Sequence, residues 1–267
     1  MEITRKSAAE LAKMRVAGRI VAEVLALVEE ALVPGISTAE VDRLAEQHIR
    51  ASGGIPSFLG YLGGRRYDMG HPHAYKATTC ISIDHEIVHG IPGHREIKRG
   101  AVVSVDVGVI YDGWNGDGAR TFVCGGREAA TEEALALIDT TRLALMAGIA
   151  AAQPGNRVAD IGAAVEAIGR EGGYGIVRGY GGHGIGRLMH EDPSVLNFAT
   201  DYPDARVRLE PGMCLAIEPM FMTGGEKTRT LRDGWTVVTA DRSLAAHFEH
   251  TIAIGEDGPE ILTKVGA

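Results

Sequence analysis

Cysteine is scarce in this 267-residue chain, which contains Cys80, Cys124 and Cys214. Because the three are widely spaced and odd in number, the sequence predicts neither a disulfide framework nor a CxxC zinc site. A concentrated basic segment is also absent, and the formal net charge is -8, which argues against nucleic-acid binding. Long apolar runs and the apolar core of a signal peptide are missing, so we expect neither a membrane span nor export. These absences favour a globular protein of the reducing cytoplasm.

Low-complexity linkers are missing as well, so we expect a single domain over residues 1–267. Two pairs of helices stand out within it. The first pair is predicted from "SAAELAKMRVAGRIVAEVLALVEEALVPG" (7–35) and from the segment between Ser37 and about residue 50; the second is predicted from "ATEEALALIDTTRLALMAGIAAAQPG" (130–155) and "RVADIGAAVEAIGREGG" (157–173). Capping-box spacing at Ser7–Glu10 and at Ser37–Glu40, with Pro-Gly or Gly-Gly after the helices, indicates where they begin and end.

A strand pattern recurs together with the helices. The segment "RGAVVSVDVGV" (99–109) aligns without a gap on "PGMCLAIEPMF" (211–221), and Asp106 falls on Glu218. This predicts an internal duplication, roughly 7–124 and 131–254, whose two α+β halves are related by a pseudo-two-fold axis. The two matched acids would then converge near that axis. The alternative is that two α+β halves share the pattern by chance.

The stretch "SVDVGVIYDGWNGDGARTF" (104–122) predicts a β-hairpin that carries two carboxylates. Asp112-Gly113 is a strong two-residue turn signal. The turn sets three cross-strand pairs: Tyr111 with Trp114, Gly108 with Asp117, and Asp106 with Ala119. Asp106 and Asp117 are then diagonal neighbours on one face, about 7–8 Å apart, with Gly108 leaving room between them. A divalent cation would remove their repulsion; the alternative is two solvated Asp on an exposed face.

Two further acids are predicted inside strands, where acids are depleted. Glu218 lies in "CLAIEP" and Glu249 in "AHFEHTIAI", with alternating apolar residues around each. His183, in "GYGGHGIG", is the candidate imidazole ligand, because the flanking glycines allow a close approach. Oxygen ligands with an imidazole suit divalent first-row metals.

Two other motifs are weaker. Residues 179–184 spell GxGxxG, but Gly186 and Pro193 leave little room for the helix that a dinucleotide fingerprint opens. "DGWNGDG" hints at a calcium loop, but position 12 would be Val123 instead of Glu. We therefore expect neither a nucleotide nor a calcium loop.

The combination of "VSVDV…GDGARTF", "GYGGHGIG…MHEDP", "AIEPM" and "HFEHT" resembles the five-ligand signature of the methionine aminopeptidases. "HGIPG" and "RDGWTVVTADRS" strengthen the resemblance, which covers residues 7–263. The family has the α+β pita-bread fold: two pseudo-symmetric halves around a central antiparallel sheet, with helices on the outer face. The short interval from His183 to Glu218 lacks the helical insertion of type 2, so the chain resembles the bacterial type 1 form.

The resemblance implies an activity and a set of residue roles. The activity is removal of the N-terminal methionine of nascent proteins when the second residue is small. Two divalent ions (cobalt, manganese, iron or zinc) would be held by five ligands: Asp106, Asp117, His183, Glu218 and Glu249. Glu218 would also act as the base, and His89 and His190 would hydrogen-bond the substrate amide. We expect a monomer that contacts the ribosome transiently and has no membrane partner.

For the methionine pocket the resemblance suggests a mixed aromatic and sulfur lining: Tyr61, Tyr75, Cys80, Met189 and Trp235. A thioether packs well against such groups. The alternative is that these are ordinary core residues. A pocket role is favoured most clearly for Cys80 and Trp235. Residues 64–74, "GRRYDMGHPHA", depart from the family spacing and predict a surface loop that puts Tyr75 in doubt.

Two rival functions share this pattern. One is a prolidase or X-Pro aminopeptidase of the same fold, which usually carries additional histidines before the ligand histidine. The other is a binding protein that has lost catalysis, which usually loses metal ligands. Residues 179–182 contain no histidine and all five ligands are present, so both are disfavoured.

Overall fold

Capping side chains begin the predicted helices of the computed structural model, which describes residues 3–63 and 67–265. The Ser7 and Glu10 side chains each accept a hydrogen bond from the backbone N–H of the other residue, and Ser37 and Glu40 do the same. The helices are α1 (Ala8–Ala31), α2 (Thr38–Ala51), α3 (Glu132–Ala151) and α4 (Val158–Glu171), with short 3-10 turns at Arg127–Ala129 and Pro203–Arg206. All four α-helices were predicted, and the capping boxes of the first pair are confirmed.

The strands of the described residues pair antiparallel throughout. They are β1 (Ile55–Pro56), β2 (Thr79–Ile83), β3 (Glu86–Val88), β4 (Val102–Tyr111), β5 (Trp114–Val123), β6 (Gly175–Ile176), β7 (Gly182–Gly184), β8 (Glu191–Val195), β9 (Cys214–Ile217), β10 (Met220–Met222), β11 (Thr228–Thr230), β12 (Val237–Thr239), β13 (Ala245–His247), β14 (His250–Ile254) and β15 (Pro259–Ile261). In one sheet β4 lies between β5 and the pair β1 and β2, and a second sheet has the order β15-β14-β9-β7-β8. Two smaller sheets have the orders β13-β10-β6 and β11-β12-β3.

Each half of the chain has its own helix pair, strands and hydrophobic core. In the first half α1 and α2 cover β2 and β4, and Val21, Ile49 and Val105 are buried together. In the second half Leu137 and Ile161 of α3 and α4 pack with Ile217 of β9. Gly100 and Gly212, which the sequence alignment matches, both have left-handed φ angles, 81° and 91°. The fold is therefore the predicted one; the limits 7–124 and 131–254 remain a prediction.

Helix α3 is long and apolar enough, by length and composition, to cross a membrane. Its residues Leu137, Leu145 and Ile149 are instead buried in the core of the second half. Because this side of the helix is buried inside the fold, α3 serves as a core helix. The expectation that no segment is apolar enough for a span was therefore too broad.

The two halves are joined along β5. The backbones of Ala119 and Glu249 exchange both hydrogen bonds, at 3.3 and 2.8 Å. Thr251 Oγ1 accepts from the Asp117 N–H and donates to the Asp117 carbonyl. Thr121 Oγ1 contacts His247 in the same way. These contacts fix the hairpin of the first half against the strands of the second.

The predicted hairpin register is confirmed, because Tyr111 faces Trp114, Asp106 faces Ala119 and Gly108 faces Asp117. The prediction that Glu218 and Glu249 lie inside strands was wrong. Glu218 lies between β9 and β10, where Pro219 lacks the N–H that would continue the ladder. Glu249 lies between β13 and β14, where the backbone turns from β10 toward β5.

Candidate metal centre and active site

Acidic side chains from both halves converge where β5 meets the second half. Asp117 Oδ2 and Glu218 Oε1 each lie 3.9 Å from His183 Nε2. Asp117, His183 and Glu249 each offer one ligand atom within 4.8 Å of the others. Asp106, on the strand facing Asp117, contacts the Asp117 carboxyl group. All five predicted metal-ligand residues are thus neighbours in one cluster.

The cluster is buried, and burial changes its acid–base behaviour. Asp117 is 4% exposed, and burial with the negative charge of Glu218 raises its pKa to about 8. Burial and the neighbouring carboxylates raise the pKa of Asp106 and of Glu249 well above their usual values. Burial acts in the same direction on Glu218, but a contact with His247 and nearby histidines outweigh it, and the pKa of Glu218 is lowered. Without a cation, most of these acids therefore favour the protonated form.

The donor atoms fit divalent metal ions. Within the described part of the chain, Asp106 Oδ1 and Glu249 Oε1 are buried and have no hydrogen-bond partner. Buried carboxylate oxygens are costly unless they are paired or coordinate a metal. Several such oxygens around one imidazole are typical of sites for manganese, iron, cobalt or zinc.

His89 and His190 lie at the edge of this cluster. The His190 ring centroid is 4.2 Å from that of His183, and its Nδ1 shares a hydrogen bond of 2.6 Å with the Tyr61 hydroxyl. The His89 ring packs edge-on against Tyr180 and Trp235. Burial lowers the pKa of His89 to about 4, so its ring is neutral at pH 7. His89 also has a left-handed φ of 61°, which is uncommon outside glycine.

A cleft of about 1110 Å³ connects the cluster to solvent. Its lining includes both accessory histidines and two of the predicted ligands: His89, His183, His190 and Glu218. A chain end entering this cleft therefore meets the acidic cluster with imidazoles beside it.

An apolar cluster adjoins the metal-ligand residues and contains most of the predicted methionine pocket. Tyr75, Cys80 and Met189 belong to it, and the partly buried Trp235 packs against it. The Tyr75 ring packs edge-on against Trp235 at 5.2 Å, and its hydroxyl is 2.9 Å from the carbonyls of Thr79 and Gly90. Residues 64–66 of the predicted surface loop lie outside the described residues, but this anchoring places Tyr75 within the apolar cluster.

Tyr61 points toward His190, to which its hydroxyl is hydrogen-bonded, and is not one of the residues of this apolar cluster.

The space that was predicted beside Gly108 is occupied by two side chains. A Cβ at residue 108 would lie 2.6 Å from the Met189 methyl carbon and 2.8 Å from the Phe58 ring. Phe58 was missed, although it begins the "FLGYLG" segment that carries Tyr61.

His247 was also missed. It is 1% exposed and its Nε2 lies 3.5 Å from Glu218 Oε2. A signal for it existed, since residues two apart in an extended segment face the same side, and His247 precedes Glu249 by two.

A buried cluster of acids and imidazoles on this fold is typical of metal-dependent hydrolases. The model of metallopeptidase family M24 matches residues 12–256. The chain belongs to that family. A methionine aminopeptidase 1 from Mycobacterium tuberculosis is 46% identical over 98% of this chain and 95% of that protein. The crystal structure of a methionine aminopeptidase from Thermotoga maritima has a TM-score of 0.90 at 40% identity, covering 98% of this chain and 100% of that one.

Within family M24 the chain is therefore a member of the methionine aminopeptidases, which are metal-dependent exopeptidases. A prolidase from Pyrococcus furiosus shares the fold alone, with a TM-score of 0.76 at 23% identity over 98% of this chain and 66% of that one.

Proposed function

We propose that the chain removes the N-terminal methionine from peptides and nascent proteins of the cytoplasm whose second residue is small. One observation carries the proposal: the five ligand candidates are neighbours and two of them, His183 and Glu218, line a cleft. Beside them lies an apolar cluster that includes Cys80 and Met189 and against which Trp235 packs. The acids supply a site for cations, and the apolar cluster supplies a surface for a thioether.

The proposed metal ligands are those that the family resemblance implies, and their closeness in the fold supports the proposal. Two divalent ions would be held by five side chains of this cluster: Asp106, Asp117, His183, Glu218 and Glu249. Bound divalent ions would polarise the scissile carbonyl. They would also lower the pKa of a water molecule, so that it gives up a proton and becomes a nucleophile at neutral pH. Cobalt, manganese, iron and zinc all accept this ligand set.

The remaining steps are carried out by side chains of the protein itself. Glu218, whose pKa is lowered, is ionised and can accept a proton from water and pass it to the departing amine. His89 and His190 border the same cleft and can donate hydrogen bonds to the amide and to the negative charge that develops on its oxygen. The chain is proposed to act as a monomer and to meet its substrates as they leave the ribosome.

The test is hydrolysis of Met-Ala-Ser by metal-free protein to which each divalent ion is added in turn. Release of free methionine, together with slow or absent cleavage of a matched Met-Lys-Ser peptide, is the expected result. Cleavage of Ala-Pro with none of Met-Ala-Ser would indicate a prolidase instead. Binding of Met-Ala-Ser without cleavage under any ion would indicate a binding protein.

A further inference from the structure

His247 is a buried imidazole that the five-ligand arrangement does not use. Its Nε2 is buried and, in the part of the chain that the structure describes, has no hydrogen-bond partner within the usual limits. The nearest acidic atom is Glu218 Oε2, at 3.5 Å, which is at the outer limit of a hydrogen bond. A buried polar atom aimed at a reactive carboxylate requires an explanation.

The two oxygens of Glu218 face different imidazoles. Oε1 is 3.9 Å from His183 Nε2, on the side of the proposed metal ligands, whereas Oε2 faces His247. The backbone of Glu218 is held separately, because its carbonyl accepts a hydrogen bond of 3.0 Å from Asn197 Nδ2. With the backbone held there, the direction of the two carboxylate oxygens depends on what the side chain contacts.

The backbone of His247 is held as well. Its N–H donates to Thr121 Oγ1 at 2.9 Å, and its carbonyl accepts from the same hydroxyl at 2.8 Å. Across the sheet it pairs with Met220, two residues after Glu218. The backbones of His247 and Glu218 are therefore held by hydrogen bonds at neighbouring strand ends.

We infer that His247 is a positioning residue for Glu218: its Nε2–H donates to Oε2 and keeps Oε1 directed at the metal-ligand cluster. The inference rests on the proposed function, in which Glu218 is both ligand and base. An ionised carboxylate can only accept, so the nitrogen facing it carries the proton and has no lone pair for a metal. His247 is accordingly assigned outside the ligand set, although it lies within 4.8 Å of ligand atoms of Glu218 and Glu249.

The experiment compares His247→Leu with His247→Gln, since Gln retains an N–H donor of similar reach. Loss of a hydrogen bond to a ligating carboxylate typically costs about 10–100-fold in activity or metal affinity. We expect His247→Leu to lower kcat for Met-Ala-Ser by about that factor at saturating metal, with KM little changed. His247→Gln should recover most of the loss.

Calorimetric metal titration supplies a second readout. Both variants should bind the same number of ions as the wild type, with weaker affinity in His247→Leu alone. Loss of one ion in both variants would make His247 a ligand and overturn the inference. Equal kinetic losses in both variants, or none in His247→Leu, would overturn it too.

A double-mutant cycle links the effect to its target. In the Glu218→Ala background, His247→Leu should have little further effect on kcat, because both accepting oxygens are already gone. Additive losses would contradict the inference. If His247→Leu does not fold, His247→Asn replaces it, since its shorter side chain keeps the polar group but cannot reach Oε2. Wild-type protein assayed in parallel tests the proposed function separately.

Discussion

Asp106 and Asp117 place two carboxyl groups in contact inside the protein, on adjacent strands of one hairpin. Gly108 and Ala119 stand opposite them, so neither carboxylate has a basic side chain across the strand. Burial raises the pKa of both groups, helped by the charge of Asp117 in the case of Asp106 and by the charge of Glu218 in the case of Asp117. This arrangement makes the metal-free protein sensitive to pH.

The first prediction concerns that sensitivity. Burial raises the pKa of Asp117 to about 8 in the folded chain, whereas an unfolded Asp titrates near ~3.9. Between these values the folded state binds more protons, so the free energy of unfolding of the metal-free protein falls as pH rises. Urea unfolding at pH 5 and pH 8 measures the difference. Asp117→Asn should stabilise the metal-free protein at pH 8 by on the order of 1–3 kcal/mol and flatten the pH dependence; an unchanged slope would contradict this.

The second prediction concerns Glu218, which is given two roles. Glu218→Gln keeps the size and one oxygen of the side chain but removes its charge and its basic site. A positioned general base is worth ~10²–10⁴ in rate, so activity should fall at least about a hundredfold at saturating metal. Steady-state kinetics on Met-Ala-Ser measures it, with exposed Glu210→Gln as the matched control. Full recovery on adding metal would leave Glu218 as a ligand only.

The third prediction separates substrate contact from metal binding. His89→Ala should lower kcat by about 10²–10³, as expected for loss of a donor to the developing oxyanion. Because His89 is not assigned as a ligand, metal content measured by plasma mass spectrometry should stay near that of the wild type. His48→Ala, which removes a half-exposed imidazole paired with Glu23, is the control and should change neither quantity. Loss of both metals in His89→Ala would give it a ligand role.

The fourth prediction concerns a buried ion pair behind His190. Lys6 Nζ lies 2.9 Å from Glu191 Oε2, and the two side chains are 2% and 8% exposed. Lys6→Met leaves the Glu191 charge buried, and breaking such a pair typically costs about 3–5 kcal/mol of unfolding free energy.

Arg5→Met is the matched control for Lys6→Met. Arg5 is the neighbouring residue, and its ion pair with Glu210 has side chains 58% and 55% exposed. An exposed pair contributes about 0–1 kcal/mol, so this variant should unfold nearly as the wild type does. Similar denaturation midpoints for the Lys6 and Arg5 variants would show that burial of the Lys6 pair has no energetic consequence.

Much of the fold could be predicted because its signals are local. The turn residues Asp112-Gly113 set the register that places Asp106 and Asp117 on one face, and the capping boxes set the starts of α1 and α2. These features depend on a few adjacent residues whose backbone preferences agree with the final structure.

The rest depends on contacts between distant parts of the chain. Glu249 leaves its expected strand because its backbone pairs with Ala119, more than a hundred residues earlier, and sequence alternation does not report that pairing. Phe58, in the bend after β1, joins the apolar cluster because the fold brings it and Met189 together beside Gly108. The spacing of His247 from Glu249 indicates a shared face, but the sequence does not show that its ring faces Glu218 Oε2, because that depends on the folded structure.

The five acidic and imidazole side chains come from both halves of the chain. Asp106 and Asp117 belong to the first half, while His183, Glu218 and Glu249 belong to the second. Ions held by this set would cross-link the halves, adding their binding energy to the hydrogen bonds along β5. Neither half expressed alone could assemble the full set of ligands. A chelator would weaken the interface between the two halves before it destabilised either hydrophobic core.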